Sequence, residues 1–213
     1  PVNPGDPATY TFTAGANLSA VGTHQVTAYT TLSGDLFTVN DTAKKVVVCS
    51  PLIYCASGAT STIDEDILNV TIGSLNNTST APYNAMYTDY TTTVPAPYLA
   101  LGQTFSMSVT KTDDPDYFYS GYIEAYIDFN HDGTYQEPEE IVLGGAYTGD
   151  VQIETVTSNV TIPLTAHIGT TGMRVICWEG SSTTATTVVP CGTYGYGETE
   201  DYLVTLAPQI PND

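Results

Sequence analysis

One segment of the chain, Asp128 to Glu140 ("DFNHDGTYQEPEE"), has the spacing of a calcium-binding loop. Such loops carry oxygen ligands at positions 1, 3, 5, 7, 9 and 12, with glycine at position 6. Counted from the first residue, the ligands are Asp128, Asn130, Asp132, the Thr134 carbonyl, Gln136 and Glu139, and Gly133 takes the sixth place. Because Pro138 disturbs the last position, Glu140 is an alternative ligand. The spacing predicts a bound Ca²⁺, and the alternative is an acidic hairpin turn.

A second acidic stretch, "PCGTYGYGETEDY" at 190–202, crowds Glu198, Glu200 and Asp201 together. Two carboxylates about 5–10 Å apart are the machinery of glycoside hydrolysis, and the alternative is an acidic turn before a strand. The sequence contains no Gly-x-Ser-x-Gly or His-Glu-x-x-His pattern, and its three histidines show no metal-ligand spacing. We therefore predict that the chain is not an enzyme.

The charge of the chain excludes several classes of partner. Among 213 residues, 23 acids stand against four Lys and Arg, and the formal net charge is −19. Nucleic acids require clustered cations, and an anionic membrane surface would repel such a chain. No apolar run approaches the roughly 20 residues of a membrane span. We predict no nucleic-acid partner and no membrane insertion.

Strand-forming residues dominate the sequence. Sixteen tyrosines and many Val, Ile and Thr favour half-buried pleated strands over disorder. Strands are predicted at 67–73, 104–111, 122–129, 140–147, 154–162, 172–179 and 200–206, with one helical turn at most at 62–68. Strands in series with Gly and Pro turns predict an all-β fold, a β-sandwich with jelly-roll or Greek-key connections.

The predicted organisation has three parts. Residues 1–49, with strand-like segments at 8–13, 23–32 and 43–48, are too few to bury a complete core and are interpreted as the C-terminal part of an immunoglobulin-like β module. Residues 50–208 form the predicted sandwich, and 209–213 a tail or linker. Without a start Met or signal peptide, the chain is interpreted as a segment of a longer polypeptide, whose neighbouring domains are predicted partners.

Several motifs together resemble one known family. "YC", "IDFNHDG", "TIPLTAHIGTTGMRV", "PCGTYGYG" and "GETEDY" occur in the order found in the GEVED domain, with Thr199 in place of the Val of the family motif. The resemblance covers roughly 53–206 and implies a non-catalytic β module of secreted or surface proteins, notably of Bacteroidetes-type bacteria. It also implies that calcium occupies the loop at Asp128.

The resemblance carries two structural expectations. Arg174 falls on a family position, and we expect it to pair with one of Glu198, Glu200 and Asp201; the alternative is a solvent-facing arginine. The family's "YC" and "PC" cysteines are Cys55 and Cys191, which implies a disulfide between them. Sequence alone allows three pairings of four cysteines. Cys49 and Cys177 are then the remaining pair, unless Cys177 is a buried thiol in its apolar strand.

These observations together predict an extracellular structural or adhesive module of a bacterial secreted or surface protein, stabilised by calcium and disulfides. An even number of cysteines suits an oxidising compartment. The alternative is a carbohydrate-binding or accessory domain of a secreted hydrolase, since the Tyr-rich segment 114–122 could stack on sugar rings. A cell-surface glycan or protein is the expected ligand in either case. "DTA" resembles a bacterial O-glycosylation acceptor and marks Thr42 as a candidate.

Overall fold

The structure, a computed structural model, describes residues 9, 11, 21–31, 33–37, 39, 41–61, 63, 65–79, 85–113, 116–135, 140–180 and 189–209. Those residues form β-strands and contain no α-helix. The strands are β1 (Gly22–Tyr29), β2 (Thr42–Cys49), β3 (Ser57–Ser61), β4 (Glu65–Ile72), β5 (Leu75–Thr78), β6 (Tyr87–Asp89), β7 (Tyr98–Ala100), β8 (Thr104–Asp113), β9 (Gly121–Ile127), β10 (Ile141–Tyr147), β11 (Ile153–Thr161), β12 (Gly169–Glu179) and β13 (Gly192–Ala207). Within the described part of the chain, no helix is long and apolar enough to cross a membrane.

The chain divides into two compact units, Pro1–Pro51 and Leu52–Asp213. In the first unit, β1 and β2 form an antiparallel pair whose register runs from Gly22 opposite Cys49 to Tyr29 opposite Thr42. Of the predicted strand at 8–13, only Thr9 and Thr11 are among the described residues. The immunoglobulin-like character of this unit therefore stays a prediction.

The second unit is built from two β-sheets that enclose one apolar core. The larger sheet has the order β10-β9-β12-β13-β3, and β6 and β7 also pair with β13; the smaller sheet has the order β11-β8-β4-β5. Val70 and Met107 of the smaller sheet and Ile123, Val175 and Val204 of the larger one are fully buried in this core. The predicted all-β sandwich is thereby confirmed.

A second, smaller core covers the outer face of the larger sheet. It consists of Tyr126, Tyr135 and Ile176, with Tyr54 and Trp178 packed against it. β9 and β12 are therefore buried on both faces, as central strands of a covered sheet are. Tyr135 belongs to the acidic loop, so this loop is part of the packing of the domain.

β13 organises the larger sheet. Along one edge it pairs antiparallel with β12, and along the other it pairs in parallel with the short strands β3, β6 and β7 in succession. The predicted strand began at 200, whereas β13 begins at Gly192, because the Gly- and Tyr-rich start is held by β3. The predicted helical turn at 62–68 is wrong: from Glu65 these residues form β4, which pairs with β8.

Candidate functional site

Strand alternation sends the three motif acids of β13 to opposite faces of the larger sheet. Glu198 and Glu200 point toward the smaller sheet, where the backbone N–H of Ile67 on β4 donates a hydrogen bond to Glu198 Oε2 at 3.0 Å. Asp201 points to the outer face, and its cross-strand neighbour on β12 is Arg174. The motif thus contributes to two separate sites, one inside the sandwich and one outside it.

At the outer site, Arg174 and Asp201 form a bidentate ion pair. The Arg174 Nε donates to Asp201 Oδ1 at 2.7 Å, and Nη2 donates to Oδ2 at 2.8 Å. The two side chains are only 2% and 11% exposed, so the alternative of a solvent-facing arginine is wrong. Nη1 donates to the carbonyl of Pro190 at 2.6 Å. The guanidinium therefore holds β12, β13 and the segment before β13 together.

The predicted disulfide between Cys55 and Cys191 is confirmed, with the two Cα atoms 5.6 Å apart. Cys55 lies just before β3, and Cys191 lies just before β13. The bond adjoins the ion pair, because Arg174 Nη1 also donates to Cys55 Sγ at 3.5 Å. The start of the domain is thus covalently fixed to its last strand.

The weaker expectation of a Cys49–Cys177 disulfide is wrong. Both residues are thiols in the structure. Cys177 is fully buried in the sandwich core, where its thiol lies 3.7 Å from the hydroxyl of Tyr147. Burial raises the pKa of the Cys177 thiol well above its usual range, so it stays protonated and unreactive.

Inside the sandwich, the motif glutamates form an acidic cluster with a residue that the sequence did not single out, Asp66 on β4. Glu200 is fully buried and accepts hydrogen bonds from the hydroxyls of Ser79 and Tyr202, both at 2.7 Å. Burial, followed by repulsion from Glu198, raises the pKa of Glu200 to about 8. Burial also raises the pKa values of Glu198 and Asp66 to about 7. These three carboxyl groups therefore keep their protons to a higher pH in the folded domain than in the unfolded chain.

This cluster predicts that the second unit loses stability as the pH rises. In the unfolded chain the same carboxyls ionise near pH 4, so the folded state holds the extra protons between about pH 4 and pH 8. The free energy of unfolding is expected to fall across that window by roughly 1.4 kcal/mol per pH unit for each retained proton. Urea unfolding at pH 5, 6, 7 and 8, followed by the fluorescence of Trp178, measures the slope.

The matched variants for this prediction are Glu200→Gln, which removes a buried carboxyl group, and Asp150→Asn, which makes the corresponding exchange at an exposed position. Glu200→Gln is expected to flatten the pH dependence, while Asp150→Asn leaves it unchanged. A stability that is constant or rises from pH 5 to pH 8 contradicts the prediction.

The first three predicted calcium ligands lie in one tight turn. Asp128 is fully buried, and its Oδ1 and Oδ2 accept hydrogen bonds from the N–H groups of Asp132 and Gly133 at 3.2 and 3.0 Å. Asn130 Oδ1 also accepts from the Asp132 N–H, at 2.9 Å. Gly133 has a positive φ of 82°, which a residue with a side chain rarely adopts. The turn thus brings carboxylate and amide oxygens together, the ligand type that calcium prefers.

The remaining predicted ligands belong to the far end of the loop. Gln136 and Glu139, two of the predicted ligands, lie outside the described residues. Thr134 donates its N–H and its hydroxyl to Asp132 Oδ1, and Glu140 Oε1 accepts from the Phe129 N–H at 2.9 Å. Among the described residues, no three Asp, Glu, His or Cys side chains form a group that could hold a metal ion. A calcium site therefore needs Asn130, a backbone carbonyl or the remaining loop residues.

Two tyrosines connect the acidic loop to the ion pair. The Tyr54 hydroxyl donates to Asp128 Oδ2 at 2.9 Å, and its ring stacks on Tyr135 with the ring centroids 4.8 Å apart. The Tyr135 ring also lies 5.2 Å from the Arg174 guanidinium, within the range of a cation–π contact. Loop, disulfide segment and ion pair are therefore one packed unit on the outer face.

A cavity of about 450 Å³ adjoins this unit. Its lining includes Tyr54 and Cys55 from the segment before β3, Tyr87 and Asp89 from β6, and the Arg174–Asp201 pair. The residues of β6 were not anticipated from the sequence, since a three-residue strand carries no usable periodicity. The candidate glycosylation residue, Thr42, is exposed at the start of β2 in the first unit.

Comparison with known protein families finds a match over part of the chain. A family model described as the GEVED domain matches residues 122–205, from β9 to the end of the motif strand. The acidic loop, Arg174 and the three motif acids lie within the matched range, whereas Cys55 and Tyr54 lie before it. No curated protein matches the chain in sequence.

Among solved structures, the likeness is distant. The CARDB domain of the Pyrococcus furiosus PF1109 protein, in complex with di-metal ions, is 9% identical with a TM-score of 0.35, over 70% of this chain and 96% of that chain. A β-glucosidase from Listeria innocua, in complex with glucose, is 15% identical with a TM-score of 0.34, over 55% of this chain and 15% of that chain.

Proposed function

We propose that the chain is a non-catalytic extracellular module of a larger bacterial secreted or surface protein, with a structural or adhesive role. The observation that carries this proposal is the state of the motif acids. Glu198, Glu200 and Asp201 are 4%, 0% and 8% exposed, and all of them accept hydrogen bonds from neighbouring groups of the domain. Glu198 and Glu200 lie inside the sandwich, away from the cavity that Asp201 lines, and Asp201 is engaged by Arg174.

We further propose that Ca²⁺ binds the acidic loop and fixes it on the outer face. The Asp128 carboxylate is fully buried, yet its described partners are the hydroxyl of Tyr54 and two backbone N–H groups. Lys111 pairs with Asp113 and Glu154, and Arg174 pairs with Asp201, so neither of these two cations is paired with Asp128. A buried carboxylate without a cation nearby is costly. Calcium held by Asp128, Asn130, Asp132 and the Thr134 carbonyl, with Gln136 and Glu139 or Glu140, would supply that charge.

The same proposal includes the location of the module and the protein to which it belongs. The match to the GEVED domain and the internal disulfide suit an extracellular location, since disulfides persist in oxidising compartments. We assign residues 1–49 to the end of an immunoglobulin-like module and place the parent protein in Bacteroidetes-type bacteria. The exposed Thr42 is the proposed site of O-glycosylation, and neighbouring domains of the same polypeptide are the first expected partners.

A second candidate function is carbohydrate binding as an accessory domain of a secreted hydrolase. The observation that favours it is a run of exposed aromatic side chains before β9: Tyr117, Phe118 and Tyr119 are 63%, 39% and 41% exposed. Aromatic rings with free faces stack on sugars. A glycan array distinguishes the candidates, because saturable binding that is lost in Tyr117→Ala supports the accessory domain.

The proposed function is tested by assaying the full chain for peptidase and glycosidase turnover with and without Ca²⁺. We expect no turnover above buffer, because Glu198 and Glu200 are enclosed in the sandwich and Asp201 is held by Arg174. A matched pair of variants, Glu198→Gln inside the sandwich and Asp150→Asn on the surface, separates the outcomes. Turnover that disappears in Glu198→Gln and persists in Asp150→Asn would overturn the non-catalytic assignment.

A further inference from the structure

The cavity beside the Arg174–Asp201 pair has the composition of a binding site, although its polar groups are unequally available. Its lining includes Tyr54 and Cys55 from the segment before β3 and Tyr87 and Asp89 from β6. A volume of about 450 Å³ is within the range of small-ligand sites, roughly 300–1,000 Å³. Which of its polar groups remain available decides what the cavity can bind.

The arginine of the cavity is not available to an anion. Its Nε and Nη2 donate to Asp201, and its Nη1 donates to Pro190 and Cys55. The residue is only 1% exposed, and its charge is neutralised by a bidentate carboxylate. An anionic ligand would have to displace Asp201, which would then be left buried without a counter-charge. Phosphate or carboxylate ligands are therefore disfavoured.

The tyrosines of the cavity present their rings while their hydroxyls are engaged. The Tyr87 hydroxyl donates to Asp201 Oδ2 at 3.0 Å, and the Tyr54 hydroxyl donates to Asp128 Oδ2 at 2.9 Å. Tyr87 remains 43% exposed, so part of its ring is open to a ligand. A ring that is fixed in place and partly exposed attracts cations through its π-electron face.

Among the described residues of this cavity, Asp89 is the one carboxylate with an oxygen that accepts no hydrogen bond. Its Oδ1 accepts the N–H of Thr91 at 2.9 Å and the Thr91 hydroxyl at 2.6 Å. The second oxygen, Oδ2, makes no hydrogen bond to the described residues, and the side chain is exposed. Asp89 is thus an exposed carboxylate held in position by Thr91, two residues after Tyr87 on the same strand and in the lining of the same cavity.

We propose that this cavity binds the cationic side chain, lysine or arginine, of a partner polypeptide. The ammonium or guanidinium group contacts Asp89 Oδ2, and the alkyl stem packs on Tyr87 and Tyr54. The net charge of −19 attracts a basic partner over a longer distance and adds to the on-rate. This inference rests on the proposed adhesive role and names the chemistry of the adhesive contact.

The test uses the full chain and three small probes: Nα-acetyl-lysine N-methylamide, its uncharged counterpart Nα-acetyl-norleucine N-methylamide, and butylamine. Binding is followed by ¹H–¹⁵N chemical-shift titration in low salt. We expect the lysine amide to shift amides of β6 and the segment 54–57 and to bind at least tenfold more tightly than the norleucine amide. Butylamine is expected to bind more weakly than the lysine amide, because it lacks the backbone of a polypeptide.

The matched variants are Asp89→Asn and Asp150→Asn, the same exchange at two exposed positions. The amide oxygen introduced at position 89 can still accept from Thr91, so the turn is retained while the charge is lost. We expect Asp89→Asn to weaken the lysine amide at least tenfold and Asp150→Asn to leave it unchanged. Equal binding of the norleucine amide, unchanged binding in Asp89→Asn, or the absence of saturable shifts would overturn the proposal. If butylamine binds as tightly as the lysine amide, the cavity recognises a free amine, and the proposed polypeptide partner is wrong. None of these outcomes depends on the turnover assay.

Discussion

Removing the Cys55–Cys191 disulfide is expected to cost the second unit about 4–5 kcal/mol of unfolding free energy. The bond closes a loop across a sequence separation of 136 residues, and on the chain-entropy model a loop of that size restricts the unfolded state by about that amount. The total unfolding free energy of a small domain is roughly 5–15 kcal/mol. The double variant Cys55→Ala/Cys191→Ala is therefore expected to retain little of its unfolding free energy. Urea unfolding, followed by Trp178 fluorescence, measures the loss.

Cys49→Ala is the control for this prediction, because Cys49 forms no disulfide in the structure. It is expected to change the stability of the second unit by less than about 0.5 kcal/mol. Peptide mapping without reductant provides an independent check, since it should recover residues 55 and 191 in one linked fragment. A double variant as stable as the wild type, or residues 55 and 191 recovered as thiols, would contradict the expectation.

Replacing Arg174 by methionine is expected to cost about 3–5 kcal/mol, because it leaves the Asp201 carboxylate buried without its counter-charge. The variant also leaves the Pro190 carbonyl without its donor at 2.6 Å and removes the cation that faces the Tyr135 ring. Arg174→Lys is expected to lose part of this energy, since a single ammonium cannot reproduce two parallel hydrogen bonds to Asp201.

A double-mutant cycle tests the cause of that loss. If the buried charge is responsible, Arg174→Met/Asp201→Asn should be more stable than the sum of the two single losses implies, with a coupling above 1 kcal/mol as an order of magnitude for residues in contact. Chemical unfolding of the four proteins at pH 6 gives the coupling. Additive losses, or a single loss below about 1 kcal/mol as for an exposed pair, would contradict the role assigned to Arg174.

The regular strands of the sandwich were predictable from alternation, and its short strands were not. β8 shows why: its buried residues Met107 and Val109 alternate with the more exposed Ser106 and Ser108, and this pattern is legible in the sequence. β6 and β7 have three residues each and exist because β13 offers them a free edge. Their position follows from the tertiary fold, which no local pattern encodes.

The candidate site likewise has features that the sequence predicts and features that depend on the tertiary fold. The acidic loop and the motif acids stand out by residue type, but only the sheet shows that Glu200 faces the interior and Asp201 the outer surface. In the sequence, nothing distinguishes Asp66 from the other acids of its polar segment. Its burial beside Glu198 depends on the pairing of β4 with β8. Asp89 lacked any signal, because its role depends on the cavity formed by distant segments.

The central claim, a module whose acidic loop is fixed by calcium, is tested most directly by thermal unfolding. The protein is first treated with a chelator, and its melting temperature is then measured in CaCl₂ and in NaCl of equal ionic strength. Asp132→Asn and the surface control Asp150→Asn are measured in parallel. The amide oxygen introduced at position 132 can still accept the hydrogen bonds that Thr134 donates to Oδ1. The exchange removes the charge and the hydrogen bond that Asn130 Nδ2 donates to Asp132 Oδ2 at 3.0 Å. The comparison separates binding from simple screening, because screening depends on ionic strength alone.

We predict that CaCl₂ raises the melting temperature of the wild type and of Asp150→Asn above the NaCl value, and that this gain is lost in Asp132→Asn. Calorimetric titration of the same samples should show saturable heat for the first two proteins only. Identical melting curves in the two salts, together with no heat of binding for the wild type in millimolar Ca²⁺, would contradict the claim.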